Sequence, residues 1–227
     1  MLRYHSYELL SIAAAHFFTT TCSRSIAKHD KFIVALSGGN TPKRMYQLLA
    51  TNQFSKNINW KKVFIFFSDE RYVPHSDTES NFNMASAALL DHIPIPRKNI
   101  FAIPTGSTPE KDAAEYQQQI KKITGSKKPV FDLILLGMGA DGHTASLFPG
   151  NKILEEKKRL VKEVYLQEKG IYRISFTIPL IKQAKQILFL VSGKEKEPVL
   201  KKILSNRKTN NPLPVQLIKG NIIWMAN

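Results

Sequence analysis

The chain has 227 residues, 43% of them apolar, and carries 33 basic against 18 acidic side chains for a net charge of +15. That apolar content suffices for one full core and argues against global disorder, while no apolar run reaches the roughly 18–20 residues of a membrane-spanning helix. A single cysteine, Cys22, rules out an intramolecular disulfide or a cysteine metal cluster and suits a reducing, cytoplasmic setting.

In chain order, Tyr7 to Ser25 has helical periodicity. Its early apolar part is interrupted by Glu8 and His16 and is followed by no small-residue cleavage site, so it reads as a helix rather than a signal peptide. Phe32 to Leu36 is a buried-strand run ending in Ser37-Gly38-Gly39, and Thr41-Pro42 then looks like the cap and first residue of a helix reaching Thr51. Val63 to Phe67 is a second strand run, ending in Ser68-Asp69-Glu70-Arg71, and Asn81 to Leu90 a further helix. Ile100 to Ile103 reads as a short strand. Pro109 to Ile123 reads as a helix capped by Thr108, with Glu110 and Asp112 in its first turn. Phe131 to Leu136 is the clearest strand. Arg159 to Leu166, Ile171 to Ile178, Ile187 to Val191, Val215 to Ile218 and Ile222 to Met225 are expected strands, with a helix over Pro198 to Leu204. This alternation predicts one α/β domain over 1–227: a mostly parallel, Rossmann-like sheet with helices on both faces.

Ligands of open α/β sheets bind at the carboxyl ends of the strands, and unusual polar chemistry stands there. Ser37-Gly38-Gly39-Asn40-Thr41-Pro42 offers a tight turn, hydroxyls and a helix start to an anion. Asp69-Glu70-Arg71 ends a buried run, where charges are costly unless they face a polar cleft. There Asp69 can orient a group or accept a proton, and Arg71 can bind an anion or stabilise developing negative charge.

Gly137-Met138-Gly139-Ala140-Asp141-Gly142-His143 fits the spacing of a dinucleotide fingerprint, with Glu163 near the place of a ribose-binding acid. Against that reading, Asp141 would repel a pyrophosphate, and Pro149-Gly150 stops any helix within two turns. A histidine at this turn suits proton transfer instead. Arg173, Lys194 and Lys196 are each ordinary surface cations alone, but with the first loop they would form a phosphate clamp. The lysine pairs, such as Lys61–Lys62 and Lys127–Lys128, are scattered without interleaved aromatics and read as solvated surface. A basic nucleic-acid-binding protein has the charge in its favour but no recognisable module.

Taken in order, Ser-Gly-Gly-x-Thr-Pro, Asp-Glu-Arg-x-Val-Pro with a later Ser-Asn, Gly-x-Asp-Gly-His-Thr-Ala-Ser-Leu-Phe-Pro-Gly, Arg-Ile-Ser and Gly-x-x-Lys resemble the 6-phosphogluconolactonase family, from Ser37 to about Trp224. The family sits in a superfamily with the glucosamine-6-phosphate deaminases. The resemblance implies hydrolysis of a phosphorylated sugar lactone in the oxidative pentose phosphate pathway, with no metal or organic cofactor. It implies His143 as the principal catalytic residue; the residues themselves add Asp141 to fix the histidine loop, Arg71 for the oxyanion, and Asp69 to position Arg71 or a water or to cap the turn. By the same resemblance Gly38, Gly39, Asn40 and Arg71 would line the substrate site, with Ser37 and Thr41 beside them as hydroxyl donors, and Arg173 and Lys196 would hold the phosphate. No nucleic-acid or membrane partner is implied, and a monomer is the expected state. The deaminase branch differs where it matters: Arg71 replaces a tyrosine-type residue, and Phe148 replaces a glutamate. Tyr172 departs from the family's usual proline before Arg173. A sugar-phosphate sensor without turnover is disfavoured by the intact Asp141-Gly142-His143.

Overall fold

The computed structural model describes residues 1–126, 128–205 and 211–227; Lys127 lies outside them. The strands are β1 (Leu2–Arg3), β2 (Phe32–Leu36), β3 (Val63–Phe67), β4 (Asp69–Arg71), β5 (Leu133–Leu136), β6 (Val161–Leu166), β7 (Ile171–Phe176), β8 (Ile187–Val191) and β9 (Ile222–Ala226). The helices are α1 (Tyr7–His29), α2 (Asn40–Ala50), α3 (Asn52–Ser55), α4 (Asn81–Ala88), α5 (Pro109–Thr124), α6 (Ile178–Ile181), α7 (Glu197–Leu204) and α8 (Pro214–Leu217).

Six strands form an all-parallel sheet in the order β1-β9-β8-β5-β2-β3. Every residue of β2, β5 and β8 is buried. Successive side chains of a strand point to opposite faces, so both faces of the central sheet are covered. That is why these strands read as unbroken apolar runs. Phe18 of α1 meets Phe32 edge-on, and Phe66 stacks on Phe101 and meets Phe131 edge-on. The buried side chains form one contiguous core.

A second sheet was not expected. β4, β7 and β6 pair antiparallel, with Arg71 opposite Arg173 and Asp69 opposite Ser175. Ser68 joins the two sheets: its N–H donates to the Leu36 carbonyl, and its carbonyl accepts from the Phe176 N–H.

Other expectations need correction. Val215 to Ile218 is not a strand, because Pro214 sets the first turn of α8. Ile100 to Ile103 makes only one bridge, from Ile100 to Ile65. The run from Ile171 leaves its strand at Phe176, and Ile178-Pro179 opens α6. α2 starts at Asn40 instead of after a Thr41 cap. Gly39, at φ 91°, occupies the cap position and supplies no side chain to the helix N–H groups. The lysines of the expected surface pairs that are described are all at least partly exposed.

Candidate functional site

β2 connects onward to β3 on one side, whereas β5 leads to β8 and β9 on the other, so the sheet's connectivity reverses between β2 and β5. A crevice forms at the carboxyl ends of strands flanking such a reversal. Leu36 and Leu136 end these two strands, and their loops line a cleft of about 230 Å³. Ser37, Gly38, Gly39, Asn40, Thr41, Asp69, Arg71, His143, Arg173 and Lys196 all face it. Of the residues singled out from the sequence, Asp141 does not line the cleft but stands behind His143. Lys194 is exposed and outside the lining, which separates it from Lys196.

Two tyrosines fix the first loop. The buried Tyr46 hydroxyl donates to the Ser37 carbonyl at 2.8 Å and accepts from the Ser37 N–H at 3.1 Å. From the start of α1, the Tyr7 hydroxyl donates to the Asn40 carbonyl at 2.8 Å. The glycine at 38 is obligatory, since a Cβ there would lie 1.8 Å from Asn81 Oδ1. Asn81 is itself buried, and its Nδ2 donates to the Asp69 carbonyl at 2.9 Å.

Glu70 is the hub beneath this wall. Its buried carboxylate accepts from the N–H groups of Arg71, Asn81 and Phe82 and from the Ser80 hydroxyl, all within 3.0 Å. Burial pushes its carboxyl above the usual range, against those hydrogen bonds. Glu70 thereby locks β4 to the start of α4 and sets the positions of Arg71 and Asn81.

The two arginines make a cationic wall. Like charges directly opposite on a β-ladder repel, yet Arg71 and Arg173 are register partners. Arg71 Nη1 donates to the Glu79 carbonyl, and the buried Nε atoms of both arginines have no hydrogen-bond partner among the described residues. Burial holds the Arg173 guanidinium below the ordinary arginine value; Asp69 opposes this and Arg71 adds to it. Arg173 Nη1 lies 3.8 Å from Asp69 Oδ2, which also accepts from the Ser146 hydroxyl at 2.7 Å. Such a pair of guanidiniums is suited to an anion with several oxygens.

In the same lining, His143 Nδ1 lies 2.6 Å from Asp141 Oδ1, and the His143 N–H donates to the same oxygen at 3.1 Å. Burial raises the Asp141 carboxyl, but these contacts outweigh it and hold the group below the ordinary carboxylate value. With Nδ1 committed to Asp141, proton exchange with a ligand falls to Nε2. The imidazole stacks on Phe148, with ring centroids 4.3 Å apart and planes at 25°. A tight turn over Thr144–Leu147 follows, with Ala145 at φ 47°, an unfavourable backbone for a side chain with a Cβ. The Thr144 hydroxyl donates to the Gly137 carbonyl, and the Ser146 N–H to Ser175 Oγ.

The sequence reading missed Glu70, Asn81, Ser146 and Phe148 as parts of this arrangement. Ser80-Asn81 following Asp-Glu-Arg was the available signal for the first two. Nothing in the spacing foretold that Ser146 would reach Asp69.

The family described as glucosamine-6-phosphate isomerases/6-phosphogluconolactonase matches residues 5–224. A protein named 6-phosphogluconolactonase from Synechocystis sp. is 39% identical, over 92% of this chain and 87% of its own length. One of the same name from Haemophilus influenzae is 40% identical, over 82% of this chain and 79% of its own. Among solved structures, 6-phosphogluconolactonase from Trypanosoma cruzi superposes with a TM-score of 0.87 at 30% identity, over 99% of this chain and 92% of its own. A monomeric glucosamine-6-phosphate deaminase shares the fold, with a TM-score of 0.83 at 21% identity. This chain therefore belongs to the glucosamine-6-phosphate isomerase/6-phosphogluconolactonase family.

Proposed function

We infer that this chain hydrolyses 6-phosphoglucono-δ-lactone to 6-phosphogluconate, the lactone-opening step of the oxidative pentose phosphate pathway, as a cytoplasmic monomer. No helix among the described residues is long and apolar enough to cross a membrane. One observation carries the reading: His143, held by Asp141, lines the same cleft as Arg71 and Arg173. A substrate with an anion at one end and an ester at the other matches that layout.

In this reading the phosphate sits against Arg173, Lys196 and the Asn40 and Thr41 N–H groups, which have no partner within α2. His143 Nε2 takes a proton from water as its oxygen attacks the lactone carbonyl carbon. The charge that develops on the carbonyl oxygen is held by Arg71 or a loop N–H. The tetrahedral centre then collapses, the bond from carbonyl carbon to ring oxygen breaks, and His143 returns the proton to the ring oxygen. Asp141 keeps the imidazole in the tautomer with a free Nε2. Asp69 serves as a positioning group that holds Arg173 and the Ser146 turn. The ring packed on His143 belongs to Phe148 and not to an acid, which favours the lactonase over the deaminase chemistry.

The test is turnover of the lactone generated in situ and coupled to 6-phosphogluconate dehydrogenase, with spontaneous hydrolysis subtracted. Wild type should accelerate ring opening, and His143→Ala should lose about 10²–10⁴-fold in kcat. Folded wild type that leaves the lactone rate unchanged, or that releases ammonia from glucosamine 6-phosphate, would overturn the assignment.

A further inference from the structure

Phe148 touches both halves of the cleft. Its ring stacks on His143 at 4.3 Å, and the Arg173 guanidinium carbon lies 5.4 Å from its centroid. It is the contact that physically joins the group assigned to proton transfer with the group assigned to the phosphate. Asp141 holds the imidazole only by its edge, at Nδ1. An edge contact at one nitrogen sets the plane of the imidazole loosely, and a flat ring against its face sets it more tightly. Asp69 Oδ2 stands 3.8 Å from Arg173 Nη1, beyond hydrogen-bond distance.

We propose that Phe148 is a positioning residue that transmits the seating of the substrate's phosphate at Arg173 to the orientation of the His143 imidazole. The proposal rests on the lactonase reading above and deepens it. Binding energy from a remote, unreacting part of a substrate raises kcat only when something couples it to the reacting centre. Here an anion draws the guanidinium into one place, the guanidinium fixes the ring beneath it, and the ring fixes the plane of the imidazole. Misplacement of a reacting group by about 1 Å can cost on the order of 10²-fold, so small gains in order at His143 matter.

The experiment measures kcat and KM for 6-phosphoglucono-δ-lactone and for unphosphorylated glucono-δ-lactone, in wild type, Phe148→Leu and Phe148→Tyr. Wild type is expected to show a kcat advantage for the phosphorylated lactone as well as a lower KM. Phe148→Leu keeps an apolar side chain but no flat face. It should lose about ten-fold in kcat on the phosphorylated lactone, with KM changed by less than about three-fold. On the unphosphorylated lactone its kcat should fall by a smaller factor, because the stacking on His143 is lost but no anion is present whose seating the ring could transmit. Phe148→Tyr should restore the phosphorylated rate. Equal kcat losses on both substrates would reduce Phe148 to a support for the histidine alone. A change in KM only would make it a phosphate contact. Either result overturns the proposal, as does wild type with equal kcat on the two lactones, a measurement that needs no variant to fold. Wild type inactive on the phosphorylated lactone removes the lactonase reading itself, and the coupling with it.

Discussion

Gly139→Ala offers a sharp separation of activity from stability. A Cβ at this position would lie 2.2 Å from His143 Nδ1, 2.3 Å from Cε1 and 2.6 Å from Asp141 Oδ1. Ordinary contact begins near 3.4 Å, so the imidazole must retreat by about 1 Å. The Asp141–His143 contact, now 2.6 Å, cannot survive that retreat unchanged. A displacement of this size costs on the order of 10²-fold in rate. The fold has less at stake: the side chains of His143 and Asp141 are 30% and 49% exposed, and such a pair contributes about 1 kcal/mol or less. For a chain of this size 1 kcal/mol corresponds to roughly 2–4 °C in Tm. Gly106→Ala is the control, since its Cβ would meet none of the described residues within 4 Å. The assay pairs lactone turnover with thermal melting for both variants. Gly139→Ala should melt within a few degrees of wild type and have lost most of its kcat, while Gly106→Ala matches wild type in both. If Gly139→Ala keeps more than a third of the wild-type kcat, the claim that Asp141 and His143 act as a fixed pair is wrong.

Three further substitutions probe different parts of the argument. Glu70→Gln replaces an acceptor-only group by one that presents an amide N–H to a nest of donors; it should cost about 3 kcal/mol, or roughly 6–12 °C in Tm, and a melting curve unchanged from wild type would contradict the hub role. Asp141→Asn bears on acid stability: a carboxyl held below its unfolded value of about 3.9 contributes stability that is complete above that pH and fades as pH falls through the folded value. Urea midpoints of wild type and this variant should therefore converge below about pH 4, and a gap that widens on acidification would refute the assignment. Asp132→Asn acts at the opposite end of the sheet, where the buried carboxylate accepts from the Ile33 N–H at 2.8 Å and pairs with Lys185 at 2.8 Å and His29 at 3.0 Å. Stability should drop by about 2 kcal/mol while kcat stays at the wild-type value; a fall in kcat at a temperature where the variant is folded would refute a purely structural role.

The parallel sheet was legible because its central strands are buried on both faces and so appear as uninterrupted apolar runs. The small antiparallel sheet was not. β4 is only three residues long, all of them charged, and its partner β7 lies about a hundred residues away in sequence. No local pattern marks such a pairing. Val215 to Ile218 misled because a short apolar stretch has the same appearance in a strand and in one turn of helix. Within the site, the loops at strand ends were visible through their glycines and charges. The facing arginines, the Ser146–Asp69 bond and the stacking on Phe148 were not, since each depends on how distant segments meet.

The composition of the cleft bears on how the chain acquires its activity. The lining runs from Ser37 to Lys196, and β5, which carries the histidine loop, is inserted between β2 and β8. Each parallel neighbour must be brought in from a distance, and pairing across such separations is slow to form. No contiguous half of the polypeptide contains the whole lining. Forms in which the Ser37 loop, the arginine strands and the histidine loop have not met would thus be silent in the lactone assay, however compact, and regained turnover would report their joining, where helix content or collapse would report only separate parts.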